Sequence, residues 1–575
     1  MIPAPPAPPA SRAAVVPLRR LIPALAVAAA TGVLALGLTA PAFPQAHQRM
    51  QPASEAQRPS APAPGADQGR RSEEAKPAAP ATEADHHRPA ADAEQRPASH
   101  DRGAQEAARR LPADSTIDHS LALPGRTLRF KVTAGSIPLF DGENGKLQAE
   151  IAYLAFVAGD PAAGRPVTFV FNGGPGAASA YLNIGALGPW RLPFDRITAS
   201  GPAALVPNAE TWLDFTDLVF VDPPGTGYSR LAGGDEVRRS FWSIDGDADA
   251  LAVFVRKWIE QNGRQRAPKF LVGESYGGMR ALKVERALEQ HQGVGVRGLV
   301  MVSPVLDFAS LGQRRHVPLS FVASLPSLAA TARELNGGFD RAALKAAEEY
   351  ASGEYLADLM RGERDQAAVK RMSARVAALT GLDPALVERL GGRIDSGTFQ
   401  RELYRSRGRV GSAYDATVTA FDPDPFAADT NFIDPVLDAS RAPLMSAMTG
   451  LYQGVLNWRV DRPYRLLNGE VSSHWNWGRG RNSVQVVEDL RTVLASDWRT
   501  HVLIAHGASD LVTPYYANKL ILDQLPVYGS PERAKLSVYG GGHMFYSRDA
   551  SRRELRSDAE ALYRAALTQE RPAGE

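Results

Sequence analysis

The chain has 575 residues, of which 44% are hydrophobic and 22% are charged, as is ordinary for a globular protein. Its 65 basic and 63 acidic residues give a net charge of +2, too small a field to indicate binding to nucleic acid or to an anionic membrane. The sequence has no cysteine, which excludes disulfide bonds, thiolate nucleophiles, Cys-ligated zinc and iron–sulfur clusters.

Residues 1–42 are typical of an export signal. Arg19 and Arg20 precede an apolar run at 21–38, and residues 40–42 (Ala-Pro-Ala) form a small-x-small cleavage site. A twin-arginine signal and an uncleaved membrane anchor remain alternatives, since about 18 apolar residues approach the length that spans a bilayer. An exported protein without cysteine fits a bacterial periplasm better than a eukaryotic secretory route. We therefore predict a cleaved signal, a periplasmic or secreted protein, and no stable membrane association.

Residues 43–117 are predicted to be a disordered linker. The segment is rich in Pro, Ala, Glu, Arg, Gln and Ser, and it has almost no large apolar residues until about residue 113. Such a composition cannot bury enough surface to offset the entropy lost on ordering. Ordered structure is expected to begin near Ser120.

The first ordered elements are predicted to be antiparallel strands. The segments RTLRFKV and LQAEIAYLAFV alternate apolar and polar residues, with the turn sequence DGENG between them. Short runs that are apolar throughout then follow at 167–171, 218–222, 270–273, 299–303, 502–506 and 536–539. Because helical patterns such as 243–261 separate some of these runs, they predict a parallel sheet covered on both faces.

The connection between residues 303 and 502 is far longer than a crossover needs. It contains mostly helical patterns at 341–360, 364–379, 384–389, 433–456 and 483–494. We predict an α/β catalytic domain formed by residues 118–308 and 497–572, with a large, mainly helical cap inserted at 309–496.

The sequence GESYG places Ser275 where a predicted strand turns sharply into a predicted helix. Gly-x-Ser-x-Gly in this position is the nucleophile-elbow pattern, in which glycines permit a tight turn and the serine oxygen is forced outward. The amide of Tyr276 would then face charge that develops on a substrate oxygen. The glycine-rich loop VFNGGPG (170–176), which follows the first long buried strand, is predicted to supply the second amide.

A nucleophilic serine needs a base that an acid holds in place. In chains with a nucleophile elbow, the three residues occur along the sequence in the order serine, acid, histidine. Asp510 follows the predicted strand 502–506, and His543 follows the predicted strand 536–539. Asp307 and His506 are rivals, but Asp307 precedes the cap and His506 lies so early in its loop that it should face neighbouring strands. We therefore predict the triad Ser275, Asp510 and His543.

Taken together, the blocks NGGPGAAS, NAETWLDFTDLVFVDPPGTGYS, GESYGG, HGASDLVTP and GGHM resemble the serine carboxypeptidase family. The resemblance implies an α/β-hydrolase fold that removes single residues from peptide C-termini, with Ser275, Asp510 and His543 as the triad. It implies that the amides of Gly174 and Tyr276 form the oxyanion hole. It also implies that Asn172 and Glu274 bind the substrate's terminal carboxylate, for which Glu274 must be protonated.

Three positions depart from the family pattern. Ala186 stands where a second glutamate is usual, Ala177 where a cysteine is common, and Phe171 where a tryptophan is common. Loss of the second acid predicts that the acidic pH optimum is shifted towards neutral.

Peptides with a free C-terminus are the expected partners, and no cofactor or metal is inferred. The run DGDAD (245–249) resembles a calcium loop, but Ala250 and Arg256 occupy the positions that need glycine and a bidentate acid. Acidic residues in the first turn of a helix are the better account. Acyl transfer or ester hydrolysis on the same fold stays an alternative, as does a catalytically silent binding protein.

Overall fold

The structure, a computed structural model, describes residues 110–159, 164–194, 197–201, 204–427, 434–478 and 484–568. The predicted signal (1–42) and residues 43–109 of the predicted linker lie outside this range. Strand β1 (Ser115–Leu123) begins inside the range predicted as linker and earlier than the expected start near Ser120. It pairs along its whole length with β2, but only two of its nine residues are buried, and its sequence carries few large apolar residues that would mark a strand.

The antiparallel strands predicted at the start of the fold are present. Strands β2 (Arg126–Phe140) and β3 (Leu147–Ala158) pair antiparallel. In the turn between them, the Asp141 carboxylate accepts the amides of Glu143 and Asn144 at 2.9 and 3.0 Å. This Asp-turn is the local interaction that the DGENG sequence predicts.

The apolar runs form the rest of the central sheet. These strands are β4 (Val167–Phe171), β5 (Asp217–Val221), β6 (Lys269–Glu274), β7 (Gly298–Val302), β8 (His501–Gly507) and β9 (Ala534–Tyr539). The order across the sheet is β1-β2-β3-β5-β4-β6-β7-β8-β9, with the short strand Arg230–Leu231 pairing with β3. Pairs from β5 to β9 are parallel, and β3 joins β5 antiparallel. The mixed sheet predicted for an α/β-hydrolase fold is confirmed.

The sheet is buried on both faces, as continuous apolar strands require. Leu299 and Met301 of β7 belong to one apolar cluster, while Val300 and Val302 belong to the other. Helices α1 (Ile244–Gln261) and α2 (Tyr276–Ala287) pack on the first of these faces. The strand ends are therefore carried by a layer that is packed on both faces.

The segment between β7 and β8 is mainly helical, as predicted. Its helices are Pro318–Gly337, Arg341–Tyr350, Leu356–Arg361, Gln366–Thr380, Pro384–Arg389, Ser396–Glu402, Pro435–Gly450, Gly469–Ser473 and Val487–Ser496. It also carries a hairpin of Arg409–Gly411 and Thr419–Phe421. Helix Val487–Ser496 buries its apolar residues in the core cluster that contains α1 and α2. The domain limits 309 and 496 stay a prediction.

The other helices lie outside this segment. Besides α1 and α2, they are Ala180–Leu182, Asp235–Phe241, Tyr515–Leu522 and Asp549–Leu567. None of the helices in the residues that the structure describes is both long and apolar enough to span a bilayer.

Candidate active site

Ser275 lies at the sharp turn between β6 and α2, as the GESYG sequence predicts. Its backbone has φ 61° and ψ −126°, a conformation that is costly for a residue with a side chain. Ser275 occupies the N-cap position of α2, yet its hydroxyl makes no capping hydrogen bond. Since serine at this position normally caps the helix, a hydroxyl held away from that role is available for another. Ser275 is partly exposed, whereas Glu274 and Tyr276 are buried.

The glycine-rich loop after β4 lies directly against this turn. A Cβ on Gly173 would lie 2.5 Å from the Glu274 carbonyl oxygen and 2.7 Å from the Tyr276 amide nitrogen. A Cβ on Gly277 would lie 2.7 Å from the Phe171 carbonyl oxygen. Only glycine permits this approach of two backbones. Gly174, the next residue of this loop, has a φ of 99°.

Asp510 and His543 are brought together by the ends of adjacent parallel strands. Asp510 follows β8 and His543 follows β9, and Oδ2 of Asp510 lies 2.7 Å from Nδ1 of His543. The amides of Val512 and Thr513 donate to the other carboxylate oxygen of Asp510 at 2.8 and 3.0 Å. The Thr513 hydroxyl lies 2.8 Å from Oδ2. The carboxylate is thus fixed, and it holds the imidazole by Nδ1.

Electrostatics favour a basic ring at His543. Burial disfavours the charged imidazole, but the charge of Asp510, its hydrogen bond and the charge of Glu274 together outweigh burial and raise the pKa of His543. Because Nδ1 faces Asp510, Nε2 is the nitrogen left to accept a proton.

One short segment positions both Ser275 and His543. The Ser275 amide donates to the Val302 carbonyl at 2.9 Å, and the hydroxyl of the next residue, Ser303, donates to the His543 carbonyl at 2.8 Å. Within the part of the chain that the structure describes, no hydrogen bond joins the Ser275 hydroxyl to His543. Such bonds are often long in free enzymes and tighten when substrate binds.

The rival residues serve other purposes. His506 is fully buried, and its Nε2 accepts from Nδ2 of Asn518 at 2.7 Å. Burial lowers the pKa of His506 to about 3, so this ring is neutral. The Asp307 carboxylate accepts the amide of Ala309 at 2.8 Å at the start of a short 3₁₀ turn. His543, the histidine predicted as the base, is hydrogen-bonded to Asp510.

Glu274 is buried beside these groups, at the end of β6. Asn172 Nδ2 donates to its Oε2, and the Tyr546 hydroxyl lies 2.9 and 3.0 Å from its two oxygens. Burial raises the pKa of Glu274 to about 7, although His543, Tyr546 and Asn172 each favour the ionised form. Asn172 and Glu274, both predicted for carboxylate binding, are therefore in direct contact, and Glu274 is protonated in an appreciable fraction of molecules at neutral pH.

Ala186 is fully buried in the turn Asn183–Leu187, where its carbonyl accepts Nδ2 of Asn208 at 2.7 Å. A Cβ on the preceding residue, Gly185, would lie 3.0 Å from the ring of Tyr546. The Tyr546 ring thus packs beside the segment that holds Ala186, the position where the family usually has a second glutamate.

Sequence reasoning missed Tyr546 and Arg280. Arg280 lies on α2, is almost fully buried, and donates through Nε to Asp247 Oδ2 at 2.6 Å and through Nη1 to the Asn172 carbonyl. Asp247 and Asp245 are in the first turn of α1, as predicted for the DGDAD run. An arginine inside an otherwise apolar helix face was the available signal for Arg280; no motif marks Tyr546.

Comparison with known proteins relates part of this chain to a known family. Residues 124–309 match the family model described as serine carboxypeptidase. The chain is 28% identical to serine carboxypeptidase-like 29 of Arabidopsis thaliana over 197 residues, which are 32% of this chain and 38% of that protein. It is 32% identical to the pheromone-processing carboxypeptidase KEX1 of Cryptococcus gattii over 204 residues, 31% of this chain and 28% of that protein. The aligned regions thus span less than two fifths of these relatives.

Among solved structures, the chain is similar to a prohormone-processing carboxypeptidase from Saccharomyces cerevisiae. The two are 15% identical, with a TM-score of 0.47, over 76% of this chain and 91% of the yeast chain.

Proposed function

Because the chain belongs to the serine carboxypeptidase family, we propose that it hydrolyses the C-terminal peptide bond of peptides with Ser275 as the nucleophile. The observation that carries the proposal is the buried Asp510–His543 pair, held next to the strained turn that presents Ser275. This arrangement supplies an acid, an oriented base and an alcohol that does not cap its helix.

In the proposed reaction, His543 Nε2 removes the proton of the Ser275 hydroxyl as its oxygen attacks the scissile carbonyl carbon. The imidazolium that forms is stabilised by Asp510 and then gives its proton to the departing amine. Water attacks the resulting acyl-enzyme, with His543 again as the base, and the shortened peptide is released with a new carboxylate. Each proton removed is returned, so no cofactor is needed.

Charge on the substrate oxygen is proposed to be met by the amides of Gly174 and Tyr276. The close backbone approach at Gly173 and Gly277 supports this role, because it leaves no room for a side chain between the glycine-rich loop and the turn. Tyr276 is also the first residue of α2, where the helix dipole favours negative charge.

Selectivity for a free C-terminus is proposed to come from Asn172 and Glu274. Two carboxylates repel unless one carries a proton, and the buried Glu274 keeps its proton up to about neutral pH. A protonated Glu274 can then donate to the substrate carboxylate, while Asn172 holds it in place. Peptides with a free C-terminus are therefore the proposed substrates.

The test compares one blocked dipeptide with a free C-terminus and the same dipeptide with a C-terminal amide. Carboxypeptidase activity requires hydrolysis of the first and loss of activity on the second. Equal cleavage of both would favour the acyltransferase or esterase alternative. If a fluorophosphonate probe labels neither the protein nor a refolded sample, the silent binding protein becomes the better account.

Export is proposed separately, from residues 1–42 alone. Fractionation of cells producing the full chain, followed by N-terminal sequencing, tests it. A mature N-terminus near residue 43 in the periplasm or medium supports the proposal, and an uncleaved cytoplasmic or membrane-bound chain contradicts it.

A further inference from the structure

Tyr546 is a fully buried tyrosine whose hydroxyl contacts both oxygens of Glu274. It lies three residues after His543, in the short 3₁₀ turn Phe545–Ser547. Tyr546 and Glu274 are 272 positions apart in the chain. The contact therefore joins the loop that carries the proposed base to the strand that ends at the proposed nucleophile.

The ring of Tyr546 is held in place from several sides. It packs against Gly185, where a Cβ would lie 3.0 Å from the ring. The backbone carbonyl of Tyr546 accepts from Nη1 of the buried Arg552 at 3.0 Å, and Arg552 is paired with Asp549 at 2.6 Å. A side chain fixed in this way cannot turn its hydroxyl away from Glu274 without disturbing the core.

The groups around Glu274 act in opposite directions. Those that face it are Tyr546, Asn172, Tyr181, Tyr414, His543 and Asp510, with Asp434 acting on His543 and Arg441 on Tyr181 from the insertion. Burial and the Asp510 charge favour a protonated Glu274, whereas the His543 charge and donation by Tyr546 and Asn172 favour the ionised form. Burial raises the pKa of Tyr546 well above its ordinary value, so its hydroxyl stays a donor at all working pH values.

We propose that Tyr546 is a positioning residue that fixes the Glu274 carboxyl and sets the pH above which a free peptide C-terminus is no longer bound. The inference rests on the proposed function, because it concerns the carboxylate-binding role of Glu274. Tyr546 itself need not touch the substrate. Its effect is to stabilise the ionised Glu274, and so to lower the pH at which that carboxyl loses its proton.

The test is the Tyr546→Phe variant, which keeps the ring and removes the hydroxyl. With a blocked dipeptide that has a free C-terminus, the alkaline limb of kcat/KM moves up by about one pH unit, the size expected for one hydrogen bond to a charged group. The change is in KM more than in kcat, because the bond governs binding of the carboxylate. Tyr546→Met, which also removes the hydroxyl, shifts the limb in the same direction.

Two further variants separate the causes. In Glu274→Gln the side chain at position 274 cannot ionise. The pH profile of kcat/KM therefore lacks the alkaline limb that belongs to Glu274, whether or not Tyr546 is present. Tyr563→Phe removes another buried hydroxyl, which lies 2.6 Å from Thr168 Oγ1 in the core, and it leaves the limb at its original pH.

A second part of the test uses the wild-type protein alone, so it does not depend on whether a variant folds. Its alkaline limb is present with the free-carboxylate substrate and absent with an ester substrate that has no carboxylate. The same limb on both substrates, or a limb that is unmoved in Tyr546→Phe, overturns this inference while leaving peptidase activity intact. Absence of hydrolysis and of fluorophosphonate labelling in the wild type overturns the proposed function instead.

Discussion

The imidazole of His543 and the carboxylate of Asp510 are joined by a 2.7 Å hydrogen bond between two buried side chains. The loops that follow β8 and β9 carry them, and these two strands pair in parallel, so the contact is fixed by the sheet itself. The Asp510 carboxylate is further held by two backbone amides. This relationship makes His543 the oriented base of the proposed reaction.

Asp510→Asn is expected to lower kcat by about 10⁴-fold with little change in fold. The amide is similar in shape to the carboxylate, but it favours the wrong tautomer of His543 and cannot stabilise its charged form. Steady-state kinetics on a blocked dipeptide measure the effect, with thermal unfolding as the control for structure. A loss of less than tenfold would mean that Asp510 does not support the base.

The pH optimum is expected to lie near neutral. The base must be neutral, so activity rises as pH passes through the raised pKa of His543. Glu274 must be protonated, so binding of the substrate carboxylate falls above about pH 7. Because the two groups interact, the apparent pKa of each limb of the pH profile belongs to the pair and not to one residue. Glu274→Gln removes one of the two ionisations and leaves the limb that belongs to His543. An optimum at about pH 4–5, near an ordinary glutamate pKa, would show that Ala186 has little effect.

Gly173→Ala is expected to lower kcat by about 10²–10³-fold, the range found when one oxyanion donor is lost. The added Cβ meets the backbone of Glu274, Tyr276 and Gly277 at 2.5–2.7 Å and pushes the glycine-rich loop away from the turn. Gly142→Ala is the matched control, because a Cβ there has no heavy atom within 4 Å. Equal activity of both variants would contradict the proposed oxyanion hole.

Glu285 provides a prediction about stability that is independent of the active site. Burial, with the nearby charges of Glu289 and Asp489, raises the pKa of Glu285 to about 7, and its Oε2 has no hydrogen-bond partner among the described residues. Between pH 4.5 and 7 the folded protein holds a proton that the unfolded chain has lost, so this group lowers stability as pH rises. Glu285→Gln should raise the free energy of unfolding by about 1–2 kcal/mol at pH 8.

Urea unfolding at pH 8 and at pH 4.5 measures the effect of Glu285→Gln, which should nearly disappear at the lower pH. Glu349→Gln, at a side chain that is 67% exposed, is the matched control and should have little effect at either pH. Equal stabilisation at both pH values would show that ionisation of Glu285 is not the cause.

Much of the framework could be predicted because its signals are local. Val167–Phe171 and Pro384–Arg389 have the predicted bounds, and α1 differs from its prediction by one residue, because Ser243 is its N-cap. The helix Pro318–Gly337 was missed because every residue from Ser320 to Ala332 is buried, so this part has no charged face to give a helical period, and Pro326 lies inside it.

The triad candidates were found because each follows a strand that the sequence marks. The surroundings of Glu274 were not, since its contact with Tyr546 depends on two loops meeting across the fold. Likewise, the Arg280–Asn172 contact depends on the packing of α2 against the loop after β4. Contacts of this kind have no signature in a single sequence, because spacing along the chain does not determine them.

The central claim is that His543 activates Ser275. Mapping the adduct of a fluorophosphonate probe, with labelling rates for the wild type, Ser275→Ala and His543→Ala, tests it most directly. The account predicts one adduct per chain, on Ser275, absent from Ser275→Ala and formed at least about 10³-fold more slowly in His543→Ala. An adduct on another residue, or labelling of Ser275 at the wild-type rate without the imidazole, would contradict it.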